Sequence, residues 1–229
     1  MHSSTCHHKM SEQKEEKKGI TPKCRFKSIC IFGETDFVQD GEFLNAAKEL
    51  GGALAARKIN FVYGGGIQGL RGSVTISATI QGSKCLSVKV KELDGHIFSL
   101  GHELQVSSLP ERMGRMFYHA EAFIALPGGL ETLDGISSIA YWAKLNFHKK
   151  PLGLLNVNGF YDKLLSFFDH AVEMEFIPQA TRHTIISAPT ADQLLDQLQC
   201  YEPDLLVKQI GGQPAVSSRK QKPDTTLRL

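Results

Sequence analysis

The sequence predicts an α/β fold of three layers, a parallel sheet with helices on both of its faces. Three observations predict it. Runs such as Ile29-Cys30-Ile31-Phe32 and Ala122-Phe123-Ile124-Ala125-Leu126 are apolar at every position, the pattern of strands buried on both faces. Amphipathic stretches separate these runs, as helical crossovers between parallel strands require. Glycine clusters follow two of the runs, at Gly64-Gly65-Gly66 and Pro127-Gly128-Gly129, and open parallel sheets bind ligands beyond the carboxyl ends of their strands.

The elements alternate between residues 25 and 200. Residues 28–32 read as the first strand. Residues 41–57 carry Phe43, Ala46, Ala47, Leu50 and Leu54 at helical spacing. A second strand over 59–63 ends in the three glycines, and a helix over 69–81 follows. Residues 85–88 and 103–107 read as the third and fourth strands, with a helix over 110–119 behind them. The run 122–126 is a strand, followed by a helix from 130 to about 147. Residues 152–155 form another strand. A helix over 161–174 places Leu164, Leu165, Phe168 and Val172 on one side. Residues 183–187 and 191–198 complete the alternation, and no internal repeat is present.

The chain has 229 residues, enough for one sizeable domain over 25–200 with polar, disordered tails at 1–24 and 201–229. A net charge of +2 is too small to argue for nucleic acid or an anionic membrane. No apolar run approaches the ~20 residues of a membrane span. The first residues lack an apolar signal core, and Glu12, Glu15 and Glu16 argue against a transit peptide. His2, His7, His8 and Cys6 have no metal-site spacing. Five scattered cysteines form no CxxC pair, which predicts a reducing, cytoplasmic setting. Arg219, Lys220 and Lys222 add a weak nuclear-import pattern.

Both glycine turns let a ligand approach the backbone, and the helix starts behind them offer unpaired N–H donors. Together they read as an anion site, although neither is a Walker A loop or GxGxxG, and tight strand–helix packing is the alternative for the first. The second turn also carries an acid, Glu131, where a phosphate would come.

GGGIQGLRG (Gly64 to Gly72) and PGGLETLDG (Pro127 to Gly135) resemble the GGGxxGLMG and PGGxGTxxE signatures of the Lonely Guy (LOG) family. These are cytokinin riboside 5′-monophosphate phosphoribohydrolases, often mislabelled lysine decarboxylases. The resemblance continues through residues 123–129, 150–156 and 159–161, and spans about 25–198. It implies a Rossmann-like fold and a homodimer with sites near the subunit contact. No cofactor or metal is implied, and no recognisable lysine anchor for pyridoxal phosphate is present. The implied ligand is a nucleoside 5′-monophosphate or another small anion. The phosphate falls to Gly128, Gly129 and Thr132, with Gly64, Gly65, Gly66 and Gly69 as the companion turn. Arg112 matches the arginine of the family's MHxRKxxM segment, and with a glutamate it cleaves the N-glycosidic bond. A carboxylate there stabilises positive charge developing on the ribose, or activates the attacking water.

The glutamate of that motif is replaced by Gly135. Glu131 lies four residues earlier on the same helical face, whereas Asp134 is turned away by ~100°. Glu131 is therefore a candidate displaced acid, an occupant of the phosphate cradle, or a helix cap facing solvent. Gly33-Glu34-Thr35 replaces the family's glycine-serine-serine, adding a second acid. Arg71, in place of the GLMG methionine, and Arg115 add cations that pair with Glu34 and Glu131 or hold an acidic ligand. Tyr141 and Trp142 read as packing, and His119 as structural. Two functions remain open: an active phosphoribohydrolase, and a catalytically silent nucleotide-binding relative.

Overall fold

The computed structural model describes residues 25–34, 40–94 and 96–203. The expectations for the tails at 1–24 and 204–229, and for Thr35, lie outside the described residues. Seven strands form one sheet: β1 (Ser28–Phe32), β2 (Asn60–Tyr63), β3 (Cys85–Val90), β4 (His102–Val106), β5 (Ala122–Ala125), β6 (Leu152–Leu155) and β7 (Ile185–Ala188). Their order is β4-β3-β2-β1-β5-β6-β7, and every neighbouring pair is parallel. The helices are α1 (Gly41–Ala56), α2 (Gly69–Ile80), α3 (Lys91–Asp94), α4 (Leu109–His119), α5 (Leu130–Lys144), α6 (Asp162–Glu173), α7 (Gln179–His183) and α8 (Ala191–Cys200).

The alternation of side chains along each strand divides the core in two. Ile29, Ile31, Phe61, Tyr63 and Ile124 join Leu50 and Leu54 of α1 and Leu194 and Leu198 of α8. Cys30, Phe32, Val62, Phe123 and Ala125 join Met116 of α4, Ile136 and Ile139 of α5 and Phe168 of α6. Helices therefore cover both faces, as the uniformly apolar strands require. Each such fully buried side chain contributes about 1.5–3 kcal/mol relative to exposure.

The elements missed from sequence are short: α3, α7 and a 3-10 turn at Val157–Gly159, each too brief to show a period. Helix α5 stops at Lys144, and Asn146 turns to φ 60° just beyond it. Tyr201, expected to begin a tail, is buried, and its carbonyl accepts a hydrogen bond from Arg25. Cys30 and Cys85 are buried and free, whereas Cys200 is disulfide-bonded. Among the described residues no helix is long and apolar enough to cross a membrane.

Strand β1 pairs with β2 on one side and β5 on the other. The chain thus winds outward from β1 in both directions, and the crevice at the carboxyl ends of these three strands is the topological switch point.

Candidate functional site

Three turns and two helix starts converge on this crevice. Strand β1 runs into Gly33-Glu34, β2 into Gly64-Gly65-Gly66, and β5 into Leu126-Pro127-Gly128. Gly129 caps α5 without a side chain of its own to do so. Helix α4 begins behind Ser108, whose hydroxyl accepts from the Glu111 N–H, with Pro110 in the first turn where its missing N–H is harmless.

Helices α2, α4 and α5 send Arg71, Arg112 and Glu131 into the crevice. Oε1 of Glu131 accepts from Nη1 of Arg71 at 2.9 Å and from Nη2 of Arg112 at 2.6 Å. Arg71 is only 5% exposed. The absence of a side chain at Gly64 makes room for both cations: a Cβ there would stand 3.0 Å from Arg71 Nη1 and 3.6 Å from Arg112 Cζ. Burial pushes the Glu131 carboxyl up, but the two guanidiniums outweigh it and hold the group below its usual range. Glu131 is therefore an ionised acid at neutral pH. The three residues line a narrow cleft of about 30 Å³ with Phe32, Leu109, Met113 and Asp134. Asp134, expected to turn away, is exposed along this cleft.

The acid at the start of α5 is Glu34, not Glu131. The Gly129 N–H donates to Glu34 Oε2 at 3.0 Å, and among the described residues no backbone amide donates to Glu131. Two charge-assisted bonds from guanidiniums are stronger than a neutral amide contact, so Glu131 is drawn across the crevice and leaves the helix start to Glu34. Beneath the turn, Thr132 Oγ1 is buried with no hydrogen-bond partner among the described residues. It packs so close that a Cβ on Gly128 would lie 2.2 Å away.

The other residues singled out from sequence divide. Gly65 and Gly66 have φ of 89° and 81°, and Gly69 has 62°. A Cβ on Gly65 would meet Lys89 Cγ at 2.8 Å, while the Gly66 N–H is taken by Ser99 Oγ at 3.1 Å. The first glycine turn thus seats neighbouring side chains at Gly64 and Gly65. Arg115 stands apart, half exposed on α4, with Glu111 at 3.6 Å. Gly135 faces β1 and is packed against the ring of Phe32. Among the described residues no group of three or more His, Cys, Asp or Glu side chains is placed to hold a metal. The sequence did not reveal Glu34's seat or Asp134's place on the cleft. In the sequence Glu34 stands only as an added acid beside Gly33.

An ionised carboxylate clamped by two cations, beside a cleft and a helix N-terminus, can stabilise a developing positive charge or orient water. A family model described as "Possible lysine decarboxylase" matches residues 67–198. Two Arabidopsis thaliana proteins named cytokinin riboside 5′-monophosphate phosphoribohydrolase are each 41% identical to this chain. One aligns over 187 residues, 80% of this chain and 85% of its own. The other aligns over 184 residues, 78% of this chain and 85% of its own. Among solved structures, a Moco carrier protein from Chlamydomonas reinhardtii matches with a TM-score of 0.58 at 18% identity, over 77% of this chain and 99% of its own. A molybdenum cofactor binding protein from Rippkaea orientalis matches with 0.57 at 19% identity, over 81% and 98%. These two likenesses carry the Rossmann-like fold alone. The extent of the family match and the identity to its curated members agree with the two glycine signatures, and the chain belongs to the LOG family.

Proposed function

We propose that this chain hydrolyses the N-glycosidic bond of a cytokinin-type riboside 5′-monophosphate, releasing the free base and ribose 5-phosphate. The observation that carries this reading is the Glu131 carboxylate, held by Arg71 and Arg112 at the mouth of the cleft. Its relatives are named for this reaction, and Glu131 shares a helical face with position 135. The acid and the glycine have exchanged places in the motif, and the exchange keeps a carboxylate in the crevice.

In this mechanism the bond from C1′ to the base nitrogen breaks as water adds to C1′. The departing base takes up a proton. Glu131 faces the ribose, where it stabilises the positive charge or orients the water. Arg71 and Arg112 keep Glu131 ionised and fixed, and Arg112 also reaches toward the sugar. Gly128, Gly129 and Thr132 bound the phosphate end.

The cleft of a single chain is too small to enclose a nucleotide. A homodimer in which a second copy walls the cleft fits this, and exposed Leu109 and Leu130 supply apolar surface there. The buried free thiols Cys30 and Cys85 favour the cytoplasm, and the Cys200 disulfide counts against it.

A second reading, a silent nucleotide-binding member, is favoured by one observation. Phe32 fills the space beside Gly135, so the family's own acid position is closed. The test is release of free base from isopentenyladenosine monophosphate and AMP. Release that is lost in Glu131→Gln supports the hydrolase. Binding without release supports the silent reading. The double change Glu131→Gly with Gly135→Glu asks whether the family motif's arrangement also works here.

A further inference from the structure

The cradle at the start of α5 already holds an anion supplied by the chain itself. Glu34 reaches it from the end of β1, across 95 residues of sequence, and Oε2 accepts the Gly129 N–H at 3.0 Å. Both glycines of the turn accommodate it. A Cβ on Gly129 would stand 3.0 Å from Glu34 Oε2, and one on Gly128 would stand 3.3 Å from the Glu34 nitrogen. The Glu34 backbone is tied down as well, because its carbonyl accepts the Arg71 N–H at 3.3 Å. Helix α5 has no side-chain cap from Gly129, so Glu34 serves that role and gains from the positive end of the helix.

A phosphate that enters this cradle meets a carboxylate. The cations that would offset the added charge are engaged: Arg71 and Arg112 both donate to Glu131. An uncharged ribose has no such conflict. Its 5′-hydroxyl is a donor, and a carboxylate is an acceptor, so the two are complementary where phosphate and carboxylate are not. Beneath Gly128, the Thr132 hydroxyl is fully buried and has no hydrogen-bond partner among the described residues.

We propose that Glu34 takes the place of the substrate's 5′-phosphate, so that the unphosphorylated riboside is bound and cleaved at this site alongside the monophosphate. The proposal rests on the reading of the crevice as an N-glycosidic hydrolase and extends its substrate class. The step is balanced without any other reactant. Riboside and water give ribose and free base: the C1′–N bond breaks, water oxygen bonds to C1′, and one water proton ends on the base nitrogen.

The test is calorimetric titration of isopentenyladenosine and its 5′-monophosphate into the full chain and into Glu34→Ser, with base release measured in parallel. Serine keeps a helix cap while removing the charge, and circular dichroism checks that the variant is folded. The expected result is that the native chain binds the riboside at least as tightly as the monophosphate and releases base from it. In Glu34→Ser the preference turns toward the monophosphate by about a hundred- to a thousandfold, the scale of like-charge repulsion at ~4 Å near a protein surface. The proposal is overturned if the native chain prefers the monophosphate as strongly as Glu34→Ser does, if neither ligand binds, or if the riboside binds but releases no base. Base released from the monophosphate, with no change in preference, would remove the role of Glu34 and leave the hydrolase intact. Absence of release from both ligands would remove the hydrolase itself, and the titrations would still report on Glu34's charge.

Discussion

Phe32 packs its ring against the backbone of Gly135 so closely that a Cβ at position 135 would stand 2.7 Å from the ring's Cδ1. The ring is held from behind by Phe123, stacked at 6.1 Å between centroids with an interplanar angle of 5°. The glycine is therefore not a simple loss of the motif's glutamate. It is half of a packing pair, and Phe32 has little room to yield.

This pair sets the first prediction. Gly135→Glu destabilises the fold by about 1–3 kcal/mol through overpacking, despite the better helix propensity of glutamate. The cost falls when Phe32→Ala is made in the same chain, because the two residues share one space. Urea denaturation of the two single variants and the double variant measures the coupling.

Removing the charge of Glu131 strands Arg71. Arg71 is almost fully buried, and its Nε already lacks a partner among the described residues. Glu131→Gln is expected to cost about 1–3 kcal/mol, less than a fully buried pair because the Glu131 side chain is 37% exposed. The same measurement on Arg115→Gln, whose partner is a surface acid, is expected to change stability by no more than about 0.5 kcal/mol.

Acid stability falls in two stages with different owners. His148 Nε2 lies 3.0 Å from the Ile139 carbonyl, and its Nδ1 accepts the Lys150 N–H at 3.1 Å. Both nitrogens are used by a neutral ring, and burial pushes its pKa down. The unfolded chain takes up the proton first, so stability declines as pH falls below ~6.5 toward the depressed value. Glu131 is also depressed, by Arg71 and Arg112 against burial. Its contribution is complete above ~4.3 and is lost as pH falls below that, through the lowered value. His148→Gln should flatten the first stage and Glu131→Gln should reduce the second, to which Glu103 and Glu111, held low by their hydrogen bonds to Lys89 and Ser107, also contribute, in unfolding free energies measured from pH 7 to pH 2.5.

The fold was legible because Ile29 through Phe32 and Ala122 through Leu126 are apolar on both faces, which only a covered parallel sheet satisfies. Helix faces followed from spacing, down to the shared face of Glu131 and Gly135. What the sequence hid were contacts between distant segments. Glu34 meets Gly129 across 95 residues, and Arg71 meets Glu131 across 60. Local rules put an acid in the cradle through Glu131, which sits there in sequence. They could not weigh two guanidiniums arriving from α2 and α4 against one amide. Asp134 was placed by a single helical step, but the cleft is wide enough along α5 to include it.

Self-association is expected to depend on the surface beside the cleft. Leu109 and Leu130 begin α4 and α5 and are exposed, Leu130 to 86%. In the homodimer we propose, a second copy covers them. Sedimentation velocity should find twice the mass of one chain, and Leu130→Asp with Leu109→Asp should shift it to the monomer while circular dichroism stays unchanged.

The most direct test of the central claim is the rate of free-base release from isopentenyladenosine monophosphate by the native chain and by Glu131→Gln. The arrangement of Glu131 between Arg71 and Arg112 predicts release by the native chain and a loss of about 10²–10⁴-fold in the variant, the scale of one acid–base group. A native chain that binds the nucleotide without releasing base, or a Glu131→Gln variant that keeps the native rate, would contradict it.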